Sequence, residues 1–314
     1  MSVDRFLITG GAGFIGSNIA AELVKRGHDV AIFDNFSTGR RENLEKIERD
    51  IEIIPGDLRD ADAVKKAATG RTFILHQAAL PSVSRSVQDP LATNEVNVAG
   101  TLNLLVAARD VAVRRVVLAS SSSVYGDTPS LPKVETMPVL PMSPYAVSKL
   151  AAEKYAAAFF KVYGLETVAL RYFNVFGPRQ DPTSQYSAVI PRFITAIMRG
   201  EQPTVYGDGL QSRDFTFVAN VIEANLLACH SPNVAGEFFN VACGQRFTLL
   251  ELLTEICQIM DKRMEPRHEA ARPGDVRHSL ADVSKLRAAT GYEAKIGFRE
   301  GLERTIQHFM GASS

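Results

Sequence analysis

A doubly wound α/β fold with a parallel central sheet is predicted by three features of the 314-residue chain. Short β-rich runs alternate with helical stretches through the first half, the runs are apolar almost throughout, and a glycine-rich turn follows the first of them. Unbroken apolar runs are expected of strands covered by helices on both faces, whereas a strand with one wet face alternates. The runs are "FLIT" (6–9), "VAIF" (30–33), "IEII" (51–54), "TFIL" (72–75), "VVLA" (116–119) and "TVAL" (167–170).

Between the first two runs, "FIGSNIAAELVKRG" carries apolar residues at helical spacing and stops at Gly27. "NEVNVAGTLNLLVAARD" (94–110) and "PYAVSKLAAEKYAAAFFKVYG" (144–164) predict two longer helices, the second rich in alanine and ending at Gly164. After about residue 175 the pattern loosens. "GPRQDPTSQ" and "ARPGD" are turn-rich, and helices near 188–199, 217–230 and 248–260 alternate with short strands. The expected organisation is a first domain over 1–175, which takes back short later segments, and a smaller α/β region over 176–314 laid on the strand ends.

Lys+Arg and Asp+Glu are equal at 35 each, so no global field draws the chain to nucleic acid or to an acidic membrane. An anionic ligand must be caught by a local cluster. Cys229, Cys243 and Cys257 are far apart and lack metal-ligand spacing, which predicts packed, reduced thiols, no metal and a cytoplasmic setting. No leader pattern is seen, nor any run approaching the ~18 apolar residues that span a bilayer.

"TGGAGFIG" places Gly10, Gly13 and Gly16 directly after a strand and at the start of a helix. There the glycines allow a tight turn and close backbone approach, and the helix N-terminus offers N–H groups to a pyrophosphate. Asp34 ends the second strand, where a carboxylate accepts bonds from a ribose diol and repels a 2′-phosphate, favouring NAD over NADP. Asp57, in "PGDLRD" after the third strand, lies at the edge where an adenine would sit. Together they predict a Rossmann-type NAD site.

In "SPYAVSK", Ser143 caps a helix and Pro144 suits its first position, which puts Tyr145 and Lys149 one turn apart on one face. A nearby ammonium stabilises a phenolate and lowers the tyrosine pKa towards working pH, making it a usable base. "ASSSSVYG" (119–126) follows the fifth strand, so its hydroxyls stand at the carboxyl end of the sheet, where ligands bind in open α/β folds.

With "TGGAGFIG", "FDNFSTG", "HQAA", "SSSSVYG", "YAVSK", "RYFNVFGPRQ", "SRDF" and "RPGD" in order, the chain resembles the extended short-chain dehydrogenase/reductases of the nucleotide-sugar epimerase branch over nearly its whole length. The resemblance implies that Tyr145 abstracts a sugar hydroxyl proton, that Lys149 holds the cofactor ribose and tunes the tyrosine, and that Ser121 bonds the reacting oxygen. It further implies cofactor contacts at Phe14, Ile15, Asn35, Ser37, Asp57, Leu58, Ala78, Asn97, Tyr145, Lys149 and Tyr172.

Related dehydratases and decarboxylases carry an acidic residue between the catalytic Ser/Thr and "VYG"; this chain has Ser122 and Ser123 there. Without a carboxylate the implied chemistry is reversible oxidation at C4 of a UDP-hexose and return of the hydride to the other face. Ser122 joins Ser121 as an expected substrate contact, and the sequence leaves open whether Ser122 or Ser123 shares its role. Arg213 and Arg272 suit a diphosphate, since guanidinium forks match phosphate oxygens, and Asn174 and Asp275 resemble the family's diphosphate and ribose contacts. Ser279 stands where a large aromatic restricts such pockets to glucose and galactose and a small residue admits N-acetyl sugars; Ser82 resembles a sugar contact of the N-acetylhexosamine enzymes. The expectation is a UDP-hexose 4-epimerase taking UDP-GlcNAc and UDP-GalNAc alongside UDP-Glc and UDP-Gal. Its rivals are an enzyme restricted to non-acetylated sugars, a net-redox reductase, and a non-catalytic NAD-binding sensor or scaffold. The helices near 94–109 and 145–163 resemble a dimer seam, so a homodimer is expected.

Overall fold

The computed structural model describes residues 3–182, 188–271 and 276–311. Six strands stand where the apolar runs place them: β1 (Arg5–Thr9), β2 (Asp29–Asp34), β3 (Ile51–Pro55), β4 (Phe73–His76), β5 (Arg115–Ser121) and β6 (Glu166–Tyr172). Side chains on both faces are buried in β1, β2, β4, β5 and β6, as layered α/β packing requires, while the edge strand β3 is only half-covered. On one face α1 (Phe14–Lys25) covers the sheet; on the other lie α2 (Ala61–Ala68) and α5 (Gly100–Asp110).

The long helix expected over 94–110 is divided. After two short helices, α3 (Val83–Gln88) and α4 (Pro90–Asn94), a wide π-type turn over Glu95–Ala99 precedes α5. That turn brings the Asn97 amide onto both backbone groups of Leu80, accepting from its N–H at 2.7 Å and donating to its carbonyl at 3.2 Å. Wide turns of this kind gather at functional sites. Helix α6 (Pro144–Tyr163) forms as its caps predict: Ser143 Oγ accepts from the Ala146 N–H at 3.1 Å, Pro144 occupies the first turn and the helix stops at Gly164.

Beyond β6 come two-residue strands β7 (Val175–Phe176), β9 (Ser212–Arg213), β10 (Thr216–Phe217) and β12 (Phe247–Thr248), with three-residue β8 (Thr204–Tyr206) and β13 (Arg267–Glu269). They are interleaved with α7 (Val189–Met198), α8 (Val218–His230), α9 (Leu249–Ile259), α10 (Ser284–Thr290) and α11 (Phe298–Gly311). A second core of Phe176, Phe193, Phe215, Phe217, Phe298 and the apolar faces of α7, α9 and α11 holds this part together. Thr248 and Glu251 close a reciprocal capping box at the start of α9.

The sheet has a seventh strand that the apolar runs do not announce. β11 (Phe238–Val241) pairs in parallel with β6, Phe238 opposite Ala169, giving the order β11-β6-β5-β4-β1-β2-β3. Helix α8 joins α1 on the same face, its C-terminal carbonyls at Ala228 and Cys229 capped by Arg115 Nη1 at 2.7 and 2.9 Å. Cys229 and Cys257 are buried free thiols, and Cys243 is half-buried. Among the described residues, no helix is long and apolar enough to cross a membrane, and no group of three or more His, Cys, Asp or Glu is placed to hold a metal.

Candidate active site

The glycine turn lies at the carboxyl end of β1. Gly10 has φ +68°, and a Cβ on it would meet the Ala78 nitrogen at 2.6 Å; a Cβ on Gly16 would meet the Gly10 carbonyl oxygen at 2.3 Å. Only glycine permits both the turn and the close seating of α1 upon it. Helix α1 starts at Gly13 with no side-chain cap and no acid in its first turn, leaving Phe14, Ile15 and Gly16 at an N-terminus open to an anion.

Asp34 is buried and tied into the same turn, Oδ2 accepting from the Ala12 N–H at 2.9 Å and Oδ1 from the Phe36 N–H at 2.8 Å. Burial pushes its carboxyl up, against these two donors, and each oxygen keeps a lone pair for a ribose hydroxyl. Asn35 donates to Asp57 at 2.8 Å and accepts from the Ser37 N–H at 3.0 Å, so these three form one exposed loop cluster beside Asp34. The Arg59 guanidinium holds the Asp57 carboxyl well below the usual carboxylate range. Leu58 is buried, and Ala78 closes the cradle from β4 with its N–H 3.4 Å from Thr9 Oγ1. An uncapped helix start, a tight turn and an acceptor carboxylate fit a dinucleotide. Tyr172 is placed differently from an open contact: its hydroxyl is buried among Gln77 and Asn225, with burial pushing it up to about 12.

Tyr145 and Ser121 meet at the carboxyl end of β5. Ser121 Oγ accepts from the N–H of Ser123 at 3.2 Å and is hydrogen-bonded to its hydroxyl at 2.9 Å, and Ser121 stands close enough to the Tyr145 phenol to oppose the rise that burial imposes on it. A serine hydroxyl beside the phenol oxygen can donate to it, the direction that favours a phenolate. Ser123 is thus a member of the group that the sequence left open; no such contact is formed by Ser122, which is half-buried.

Lys149 is tied to the end of β5. Lys149 Nζ donates to the Ala119 carbonyl at 3.0 Å and lies 5.9 Å from the centre of the Tyr145 ring. Burial pushes the phenol up rather than down, Ser121 alone opposing it. A buried ammonium costs desolvation, and this lowers Lys149 to about 8. Asn97 connects to the same helix, donating to Ser148 Oγ at 3.0 Å, and Ser148 donates to the Tyr145 carbonyl at 2.8 Å.

Ser121 is opposite Tyr172 in the sheet register, and two residues beyond Tyr172 the chain turns through Asn174 at φ +34°. Asn174 Nδ2 donates to the Asp214 carbonyl at 3.2 Å and to Ser279 Oγ at 3.3 Å, bringing together residues far apart in sequence. Asp214 is a buried staple: its carboxylate accepts N–H bonds from Cys243, Gly244 and Ala281, each at 3.1 Å. Arg213 lines a cleft of about 240 Å³ with Asn174, Thr204, Tyr206, Gln211 and Arg192, the last with its guanidinium 5.3 Å from the Tyr206 ring centre. Sequence reasoning missed Tyr206, at the end of the three-residue strand β8, and Arg192, on α7. Ser82 caps α3 at φ +94°, a strained conformation of the kind found at ligand clamps. Arg272 and Asp275 lie outside the described residues.

The UDP-glucose 4-epimerase of Mycolicibacterium smegmatis is 39% identical to the chain over 313 residues, which are 98% of this chain and 99% of that protein. A solved UDP-N-acetylglucosamine 4-epimerase from Methanobrevibacter ruminantium, in complex with UDP-N-acetylmuramic acid, aligns with a TM-score of 0.95 at 41% identity, over 99% of this chain and 100% of that one. The UDP-glucose 4-epimerase of Thermus thermophilus, solved with NAD, gives a TM-score of 0.90 at 40% identity over 98% and 99%. Residues 6–242, most of the chain, match the NAD dependent epimerase/dehydratase family. A cradle suited to a dinucleotide, a tyrosine–serine pair at the strand ends and these likenesses converge: the chain belongs to the NAD dependent epimerase/dehydratase family, with NAD as its cofactor.

Proposed function

We propose that the chain is a 4-epimerase of UDP-hexoses, interconverting UDP-GlcNAc with UDP-GalNAc and also UDP-Glc with UDP-Gal. The observation that carries this is the juxtaposition of Tyr145 with Ser121, whose loop has no carboxylate, one strand away from the Asn174–Ser279 contact. Residues 1–175 hold NAD, and the nucleotide half of the substrate lies over 176–314.

Bound NAD would supply the hydride acceptor and donor for C4 of the sugar. Tyr145 takes the proton of the C4 hydroxyl, and Ser121 bonds the same oxygen, so the pair moves one proton out and one back. Lys149, a cation buried four residues along α6, holds the cofactor ribose. Arg213, Asn174 and Arg272 hold the nucleotide diphosphate, and Asp275 holds the nucleotide ribose. The 4-ketosugar turns within the pocket before the hydride returns, and Ser279 leaves room beside the sugar's 2-substituent. A dehydratase or decarboxylase needs a further proton-transfer group, which Ser122 and Ser123 do not supply.

Incubation with a panel of UDP-sugars and separation of the products tests this. Both pairs should interconvert without net consumption of NADH. Failure on UDP-GlcNAc alone limits the enzyme to non-acetylated sugars, and stoichiometric NADH consumption makes it a reductase. NAD binding without turnover leaves a sensor.

The assembly we propose is a homodimer through α6 and the helical run from α3 to α5. These elements leave Val147, Val162 and Leu91 at 52%, 67% and 76% exposure, apolar side chains that a second copy would cover. Sedimentation should give about twice 34.3 kDa; a monomer at micromolar concentration refutes the seam.

A further inference from the structure

A buried ion pair joins the two elements that carry the reacting groups. Glu153 lies on α6, one turn beyond Lys149 and two beyond Tyr145, and is 4% exposed; Arg171 lies on β6 and is 1% exposed. The guanidinium binds the carboxylate with a two-pronged contact, Nε to Oε1 at 2.8 Å and Nη2 to Oε2 at 2.7 Å. The same Oε1 accepts from the hydroxyl of Ser120, the residue before Ser121. On its other side the guanidinium lies between two rings, 4.8 Å from the centre of Tyr125 and 4.3 Å from that of Phe238. Tyr125 closes the serine loop, and its hydroxyl donates to Asn240 at 2.7 Å.

The arrangement is expensive to bury. Removing two charges from water costs several kcal/mol per ion, and well-packed apolar residues of similar volume often serve stability as well or better. Arg171 Nη1 has no hydrogen-bond partner among the described residues, which adds to the cost. Packing alone therefore does not account for the pair. Its hydrogen bonds are directional, and they join β6 to the helix bearing Tyr145 and Lys149 and to Ser120 at the start of the serine loop.

We propose that Glu153 and Arg171 are positioning residues for the proposed 4-epimerase reaction, fixing the serine loop against α6 so that the Ser121 hydroxyl meets the Tyr145 oxygen. The pair works by place rather than by charge. Burial is the whole cause of the lowered Lys149, and neither member of the pair contributes to it, as expected of a net-neutral unit. The inference rests on the function proposed above, and wild-type turnover separates the two: a wild type inactive on every UDP-sugar overturns that function, whereas the variants below are judged against an active wild type and by a readout that needs no turnover.

The test is the double variant Glu153→Met/Arg171→Leu together with Ser120→Ala, which keeps the ion pair and cuts only its tie to the loop. Each is measured for thermal melting, NAD content, and kcat and KM on UDP-Glc. The phenol titration of Tyr145 is followed by ultraviolet difference spectra on protein freed of NAD, and assigned by its loss in Tyr145→Phe. The expected result is a folded, NAD-binding protein whose kcat falls at least tenfold with KM within threefold of wild type, and whose Tyr145 titrates at higher pH because Ser121 no longer donates to it. Wild-type kcat with an unmoved titration overturns the proposal, as does a loss of activity that only follows the fraction unfolded. Should the double variant not fold, Ser120→Ala decides by the same criteria.

Discussion

Replacing Tyr145 by phenylalanine should lower epimerisation by about 10²–10⁴-fold, the range over which a positioned acid–base group contributes, while NAD content and thermal melting stay near wild type. The phenol is half-buried beside Ser121. Losing its oxygen leaves Ser121 donating into space that the sugar hydroxyl can fill, so substrate affinity should change far less than kcat. Direct assay of UDP-Glc to UDP-Gal conversion checks this, with KM read from the same curves. Turnover within threefold of wild type would remove Tyr145 from the mechanism and leave NAD binding as the site's surviving property.

The second large effect is on selectivity. Ser279→Tyr should cut kcat/KM for UDP-GlcNAc by on the order of 10²-fold or more while UDP-Glc stays within a few-fold. Ser279 is only 9% exposed, and its backbone is fixed by an N–H bond to the Ser212 carbonyl at 3.0 Å. The segment therefore cannot swing away to relieve a phenol ring. The neighbouring Ala281 is held by the Asp214 carboxylate at 3.1 Å, so the added volume must go into the pocket or displace Asn174. Competition between the two sugars in one reaction gives the ratio directly. Equal losses on both would mean that the ring blocks the nucleotide, and Ser279 would then not be the gate.

The sheet and its glycine turn were legible because their signals are local. Strands covered on both faces read as unbroken apolar runs, and Gly16 is required by a contact a few residues away, though Gly10 is required also by Ala78, beyond β4. β11 escaped notice for an equally physical reason: Asn240 sits in its middle, buried and bonded to Lys133 and Asp282 carbonyls, so a polar residue interrupts a four-residue run. The break before α5 is set by Asn97 reaching Leu80, a tertiary contact that helical spacing cannot show. In the site, the spacing of Tyr145 and Lys149 gave their common face but not their relation. A helix can present both while the ammonium turns to the Ala119 carbonyl. The closeness of Asn174 and Ser279 depends on a return of the chain across 105 residues, which local patterns do not encode.

The position of β11 also governs the order in which the chain can mature as it is made. β6 is complete at Tyr172, yet its partner arrives only with Phe238–Val241, so for the synthesis of the intervening residues β6 presents an unpaired edge. Such edges invite pairing with other chains. The cofactor half therefore cannot finish as an autonomous unit that leaves the ribosome first: its last strand is delivered by the polypeptide that has meanwhile begun the substrate half, and the two halves reach their final form together.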